Sequence, residues 1–346
     1  MLATEPRNTS RPPSRTARPT RMRAIVHERY GRPDVLALRD VDVPAALEDD
    51  RVLLRVYASS VNPVEWYGVT GPLFARMGNG LRRPKVTSVG ADVSGRVEAV
   101  GKDVSGLAPG DEVFGVAIGS WAEYATAREA RLARKPANLT FEEAAAVPVA
   151  GITALQALRD KAEVERGQKV LINGASGGVG TFAVQLAKAF GAEVTGVCST
   201  MNVELVRSLG ADRVVDYTQE DFTRGDERHD VMLDIAGSRP FSAFRRVLAP
   251  QATVVAVGGP MTYRGLGPLP HLARTIVTSK GRSQTVKFFV AQVTTEDLDV
   301  LRELLEAGKV KPAIDRRYDL GEAPEALEHL GGHHAPAKLV VRVRED

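Results

Sequence analysis

Three glycines set three residues apart, Gly174, Gly177 and Gly180, follow the short apolar run Val170 to Ile172 in the stretch QKVLINGASGGVG. A strand, a tight turn and a helix start at that spacing aim backbone N–H groups and the positive end of a helix dipole at one point, where a pyrophosphate can sit. Glycine is required because a Cβ at the turn would meet the phosphate or the strand. Ser176, Gly178 and Val179 lie in the same turn and belong to the candidate seat. A bare strand-turn-helix corner can carry the same glycines, so the nucleotide reading rests on the flanking elements. The helix is legible: Val179, Phe182, Leu186 and Phe190 recur at spacings of three and four, Ala183 and Ala187 lie beside them, and Gly191 ends the run. Ser199 stands 19 residues past Gly180 and is followed by Thr200. An NAD enzyme places Asp or Glu there for the ribose hydroxyls; hydroxyl side chains do not repel a 2′-phosphate, so NADPH is the expected cofactor.

The elements that must position these residues divide the chain in two. With 346 residues, 43% of them apolar and 26% charged, it is long enough for two full cores. No run approaches the roughly 18 apolar residues of a membrane span. The formal charge is +3, but residues 1–23 carry six arginines against Glu5, a net +5, which leaves −2 for the rest. The basic balance therefore belongs to a tail over 1–21, expected to be a disordered extension or a transit peptide, and it implies no nucleic-acid surface. Cys198 is the only cysteine, which excludes a disulfide within the chain and fits a reducing cytoplasm. Arg23 to His27 and Arg51 to Tyr57 read as strands, and glycine-punctuated segments continue to about residue 135, as in a partly open barrel. Ala144 to Leu158 reads as one apolar helix crossing to the second part. There, strands at 193–197, 213–216, 230–234 and 252–257 alternate with helices at 202–209 and 241–248, the pattern of a doubly wound parallel sheet. Thr285 to Val290 and Leu339 to Val343 read as further strands, and Glu296 to Ala307 as a helix.

The segments SSVNPVEW (59–66), GDEVFG (110–115), AAAVPVAGITALQAL (144–158), GASGGVG, LGADRVVDY (209–217) and the final EAGKVKPAID with HHAPAKLVV resemble the medium-chain dehydrogenase/reductase superfamily, in its zinc-independent quinone oxidoreductase branch. The resemblance runs from Met22 almost to the end. It implies a GroES-like domain at 22–145 and 311–346, interrupted by a Rossmann domain at 146–310. Zinc members of the superfamily bind their catalytic metal through two cysteines and a histidine. Here the corresponding loop reads Val61-Asn62-Pro63, and Gly90-Ala91-Asp92 replaces Gly-His-Glu, so no metal is expected.

Without a metal, hydrogen-bond donors must meet the oxygen on which charge develops during hydride transfer. By resemblance Asn62 and Tyr67 match the family's Asn-x-x-Asp-x-Tyr element, with Glu65 in place of the Asp. Tyr67 either donates its phenol to a substrate carbonyl or only shapes the rim, and Asn62-Pro63 is also a common turn. Thr153 resembles the family threonine near the nicotinamide, or else bonds its own helix. The resemblance puts Ser199 and Tyr217 at the 2′-phosphate, with Met201 where a cation usually follows, and brings Gly258, Phe289, His334, Ala335 and Lys338 to the cofactor site. A small-molecule reductase of quinones or α,β-unsaturated carbonyls is the leading expectation. A nucleotide-holding sensor of the same fold and a zinc-free alcohol dehydrogenase are the alternatives. The apolar strand 285–290 implies a two-fold edge pairing and a homodimer.

Overall fold

In the computed structural model, residues 19–237, 239–258, 273, 275, 277–279, 283–332 and 335–345 are described. Of the expected tail, residues 1–18 lie outside them, and Arg21 already belongs to the first strand.

Strands β1 (Arg21–Val26) and β2 (Ala37–Asp42) pair antiparallel beside the first large sheet. That sheet is built from β3 (Arg51–Ser60), β4 (Asp92–Val100), β5 (Glu112–Val116), β6 (Tyr124–Arg128) and β7 (Leu132–Arg134). Between β3 and β4 the chain makes helices α1 (Pro63–Thr70) and α2 (Leu73–Asn79). Both start at or beside a proline, which fixes φ without removing a needed donor in a first turn. Neither belongs to the elements expected from the sequence.

The expected single helix over 144–158 is two helices, α3 (Phe141–Ala145) and α4 (Pro148–Gln156), with a wide π turn over Ala157–Lys161. The break falls at Pro148, which has no N–H to continue a helix and instead opens the next one.

The second sheet holds β8 (Lys169–Asn173), β9 (Glu193–Cys198), β10 (Arg213–Asp216), β11 (His229–Asp234), β12 (Leu248–Ala256) and β13 (Thr285–Phe288). All neighbours are parallel, in the order β10-β9-β8-β11-β12-β13. Helices α5 (Gly178–Ala189), α6 (Val203–Ser208), α7 (Phe241–Phe244) and α8 (Thr295–Glu306) join or follow these strands. Val170, Leu171 and Ile172 are all buried because helices cover both faces, which is why β8 shows no alternation. The helix expected over 241–248 is only α7 and a 3₁₀ turn. Leu248 is drawn into β12 by its pairing with His229 of β11.

After α8 the chain returns: β14 (Ile314–Asp319) and β15 (Lys338–Arg342) enter the first sheet, β15 antiparallel to β3, with α9 (Ala323–Gly331) between them. The core of the parallel sheet runs on into Phe114 and Ala133 of the barrel strands, so the two parts share packed side chains. The order of the parallel sheet reverses between β8 and β11, and in open α/β sheets ligands lie beyond the carboxyl ends of strands at that switch.

Candidate active site

The turn from β8 to α5 sits at this switch. Gly174 takes φ +93°, a conformation that side chains rarely adopt, and Gly177 N donates to Gly174 O at 3.2 Å to close the turn. The first N–H groups of α5 have no carbonyl within the helix and are open to an anion. A Cβ on Gly177 would meet only Gly174 O, at 3.6 Å, so this face of the turn is clear. A Cβ on Gly180 would lie 2.1 Å from the same oxygen, so here glycine lets the helix close onto the strand. The seat thus fits a pyrophosphate both in shape and in donors.

At the end of β9, Asn202 Nδ2 reaches Ser199 Oγ (3.2 Å) and Ser176 Oγ (3.3 Å), tying the strand end to the glycine turn. Sequence reading missed Asn202. Thr200 Oγ1 donates to Asp216 Oδ2 (2.5 Å), and Thr218 gives its N–H (2.9 Å) and hydroxyl (2.8 Å) to Oδ1. These bonds, led by that from Thr200, hold the Asp216 carboxyl below its usual range. An acid absent from the end of β9 is therefore present one strand over, where Asp216 pairs with Cys198. Tyr217 is exposed, with its N–H on Cys198 O, and Met201 is 93% exposed. Gly258 lies against Ile235 O, where a Cβ would be at 2.3 Å. The Phe289 ring packs on the core with Lys161 Nζ 5.6 Å from its centroid. Ala335 packs on the barrel core, and His334 lies outside the described residues.

On the barrel side, Asn62, Asp92 and Lys338 meet in a buried polar cluster, exposed by 3%, 0% and 2%. Asp92 Oδ2 accepts from Ser60 Oγ (2.5 Å) and Asn62 Nδ2 (2.8 Å), and Oδ1 accepts from Val149 N (2.9 Å), an orphan donor in the first turn of α4. Lys338 Nζ gives hydrogen bonds to Val61 O (3.2 Å), Asn62 Oδ1 (2.5 Å) and Asp92 Oδ2 (3.4 Å). Glu65, at the third position of α1, accepts from Asn62 N (2.7 Å), while its other oxygen, buried, has no partner among the described residues. Burial first, and the Asp92 charge second, push the Glu65 carboxyl up to about 8.

The glycine turn and this cluster touch. Ala337 N donates to Ser176 O (2.7 Å), and the Lys338 stem passes Gly178, with Cδ 3.0 Å from where a Cβ there would be. Lys338 thus runs from the pyrophosphate seat to Asn62, and all three of its N–H groups are committed there rather than to the cofactor's surface. The Thr153 hydroxyl donates to Val149 O (2.6 Å), the local bond to its own helix. Tyr67 stands edge-on to Phe74 at 5.3 Å, and its hydroxyl makes no hydrogen bond to a described residue. Burial raises its phenol above the ordinary value, so it remains a donor.

Zinc does not fit this set. The point where Val61 O, Asn62 Oδ1 and Asp92 Oδ2 converge is filled by the Lys338 ammonium. No group of three His, Cys, Asp or Glu residues suited to a metal occurs among the described residues. Cys198 is buried at the end of β9, and burial pushes its thiol up to about 11, which disfavours the thiolate that a metal needs.

A doubly wound sheet whose glycine turn abuts a barrel-borne set of donors is the architecture of two-lobed dinucleotide-binding dehydrogenases and reductases. Comparison with known proteins agrees. Residues 48–137 match the alcohol dehydrogenase GroES-like domain, and residues 209–341 match a zinc-binding dehydrogenase model. The chain is 35% identical over 337 residues to 2-methylene-furan-3-one reductase of Solanum lycopersicum, covering 93% of this chain and 79% of that protein. It is 35% identical over 340 residues to the chloroplastic NADPH-dependent alkenal/one oxidoreductase of Arabidopsis thaliana, covering 93% and 80%. The solved quinone oxidoreductase from Coxiella burnetii superposes with a TM-score of 0.83 at 32% identity, over 94% of this chain and 100% of that one. The chain belongs to the medium-chain dehydrogenase/reductase family.

Proposed function

We propose that this protein is a zinc-independent, NADPH-dependent oxidoreductase that reduces quinones or α,β-unsaturated carbonyls. One observation carries the reading: a glycine turn built for a pyrophosphate lies against a cluster that presents Asn62, with the two joined through Lys338. The relatives' names give the same chemistry, NADPH and alkenals for the Arabidopsis protein and a quinone for the Coxiella one.

When bound, NADPH supplies the hydride. The chain's residues do the rest. The turn at Gly174 to Gly180 and the start of α5 hold the pyrophosphate, and Ser199 and Thr200 leave room for a 2′-phosphate without an acid at the end of β9. Asp216, one strand over, has its charge engaged by Thr200 and Thr218. Tyr67 and Asn62 donate to the substrate oxygen on which charge develops, and Lys338 acts as a positioning residue rather than a cofactor contact. Segments 22–145 with 311–346 carry the substrate side, and 146–310 the cofactor. Oxidation of NADPH in the presence of enones, enals and quinones tests the reading, repeated after exhaustive chelation and with Tyr67→Phe. Activity that survives chelation, and a tenfold or greater loss of kcat in the variant, are expected. Activity lost together with stoichiometric zinc overturns zinc independence, and parental kcat in Tyr67→Phe makes that residue a rim.

The protein is also proposed to be a homodimer. Strand β13 ends the order of the parallel sheet, and Phe288 and Val290 beside that edge are exposed, so pairing with a two-fold mate would cover both. Light scattering at micromolar concentration should give twice the 37.2 kDa of one chain, and a single-chain mass rejects the pairing. No helix among the described residues is long and apolar enough to cross a membrane. A cytoplasmic place is proposed from the single cysteine, and cell fractionation checks it.

A further inference from the structure

We propose that Lys338 and Asp92 are positioning residues that act on the reaction through Asn62, by fixing which way its amide points. The inference rests on the reading of Asn62 as a donor to substrate, and it concerns the origin of that donor's aim.

An asparagine amide is nearly symmetric in shape and is oriented only by the polarity of its neighbours. Here those neighbours are as polarised as side chains can be. The Lys338 ammonium has only donors, and it faces Asn62 Oδ1 at 2.5 Å. The Asp92 carboxylate has only acceptors, and it faces Nδ2 at 2.8 Å. A reversed amide would set NH₂ against the ammonium and C=O against the carboxylate, and both contacts repel. One Nδ2 hydrogen goes to Asp92; the second has no acceptor among the described residues and is the one left for a substrate oxygen.

Stability alone is a weak reason to keep such a pair. A buried ion pair gains little over well-packed apolar residues, whereas removing one member leaves a buried charge. The pair also ties together the parts whose alignment the reaction needs: Asp92 takes Val149 N of α4, and the Lys338 stem lies on Gly178 of the nucleotide turn.

The test compares Lys338→Met, Asp92→Asn, the double variant and Asn62→Ala in the full-length protein, reading the melting temperature, NADPH affinity by fluorescence titration, and kcat and KM with an enone. Each single variant leaves a buried charge unpaired and should melt earlier. The double variant is neutral and close to isosteric, so its melting temperature should return towards the parent. In it, the Val149 N–H keeps the oxygen of the new amide on its own side, so the nitrogen of that amide turns to Asn62 and forces it to reverse. Its kcat should therefore fall tenfold or more, to within about threefold of Asn62→Ala, with NADPH affinity at the parental value. Parental kcat in the double variant, with Asn62→Ala slow, overturns the proposal and leaves the donor role of Asn62 standing. Parental kcat in Asn62→Ala removes that role, and the proposal with it.

Discussion

Alanine at position 180 should damage the folded protein before any ligand is added, whereas alanine at position 177 should leave folding intact and damage only nucleotide binding. The two glycines lie three residues apart in one turn but do different physical work. A Cβ on Gly180 would be 2.1 Å from Gly174 O and 2.7 Å from the carbonyl carbon of Ala175, both backbone atoms that no rotamer change can move aside. Helix α5 would have to lift off β8, taking with it Phe182, Ala183 and Leu186, which are fully buried. Overpacking of this kind costs about 1–3 kcal/mol and more where backbone must shift, so Gly180→Ala should unfold several degrees earlier and bind NADPH poorly. On Gly177 the same methyl meets only Gly174 O, at 3.6 Å, an ordinary contact. Its free side is the face on which the pyrophosphate would rest, and a methyl there holds the phosphate away from the N–H groups of α5. Thermal melts of the ligand-free variants and NADPH titrations separate the two effects. Parental melting in Gly180→Ala would disprove the close-packing role. Parental NADPH affinity in Gly177→Ala would move the phosphate seat elsewhere.

What was legible in the sequence follows the range of the interactions. The glycine turn and α5 are local patterns, read from one stretch of 24 residues between Gln168 and Gly191, and the structure forms them as read. Pro148 was visible inside the apolar run, yet the run read as one helix, because hydrophobic periodicity outweighed a single breaker. Helix α1 also had a local signal that went unused: Asn62 and Glu65 at the ends of an Asn-x-x-Glu element, with Pro63 at the first helical position. Other features had no local signal. Lys338 and Asp92 are 246 residues apart and meet only because the chain's end re-enters the first sheet, so a lysine placed by resemblance at the cofactor turns inward to Asn62. From the sequence Asp216 is only the end of a strand. Its nearness to Thr200 needs the parallel register of β10 on β9, which pairs it with Cys198.

The pH dependence of stability should carry the signature of one buried proton, on Glu65, and Glu65→Gln should erase it. The cluster holds two buried carboxylates and one cation. Asp92 takes the Lys338 ammonium along with three other donors, and Glu65, 4% exposed, is met by backbone N–H groups, that of Asn62 and its own. Burial and the neighbouring Asp92 charge, against weaker help from Lys338, raise the Glu65 carboxyl to about 8 from the 4.5 of an exposed chain. The sign follows from proton counting. Below pH 4.5 both folded and unfolded states hold the proton and the group contributes no pH dependence. Between 4.5 and 8 the unfolded chain has lost it while the folded one keeps it, so stability falls as pH rises, by up to about 1.4 kcal/mol per pH unit and roughly 5 kcal/mol over the whole interval. Above 8 both states are ionised and the penalty is constant. Glutamine has the shape of the protonated acid and its carbonyl can accept from Asn62 N, but it cannot ionise. Denaturant unfolding at pH 5, 6.5 and 8 should therefore show the parent and Glu65→Gln close together at pH 5 and separated by several kcal/mol at pH 8, with the variant the more stable. The effect reaches the chemistry as well: once ionised, Glu65 competes with Asp92 and Asn62 for the single Lys338 ammonium, so kcat of the parent should decline above pH 8 while that of the variant holds. Parallel stability profiles for the two proteins would mean that Glu65 is already ionised in the fold, and that the cluster draws its charge balance from somewhere other than a retained proton.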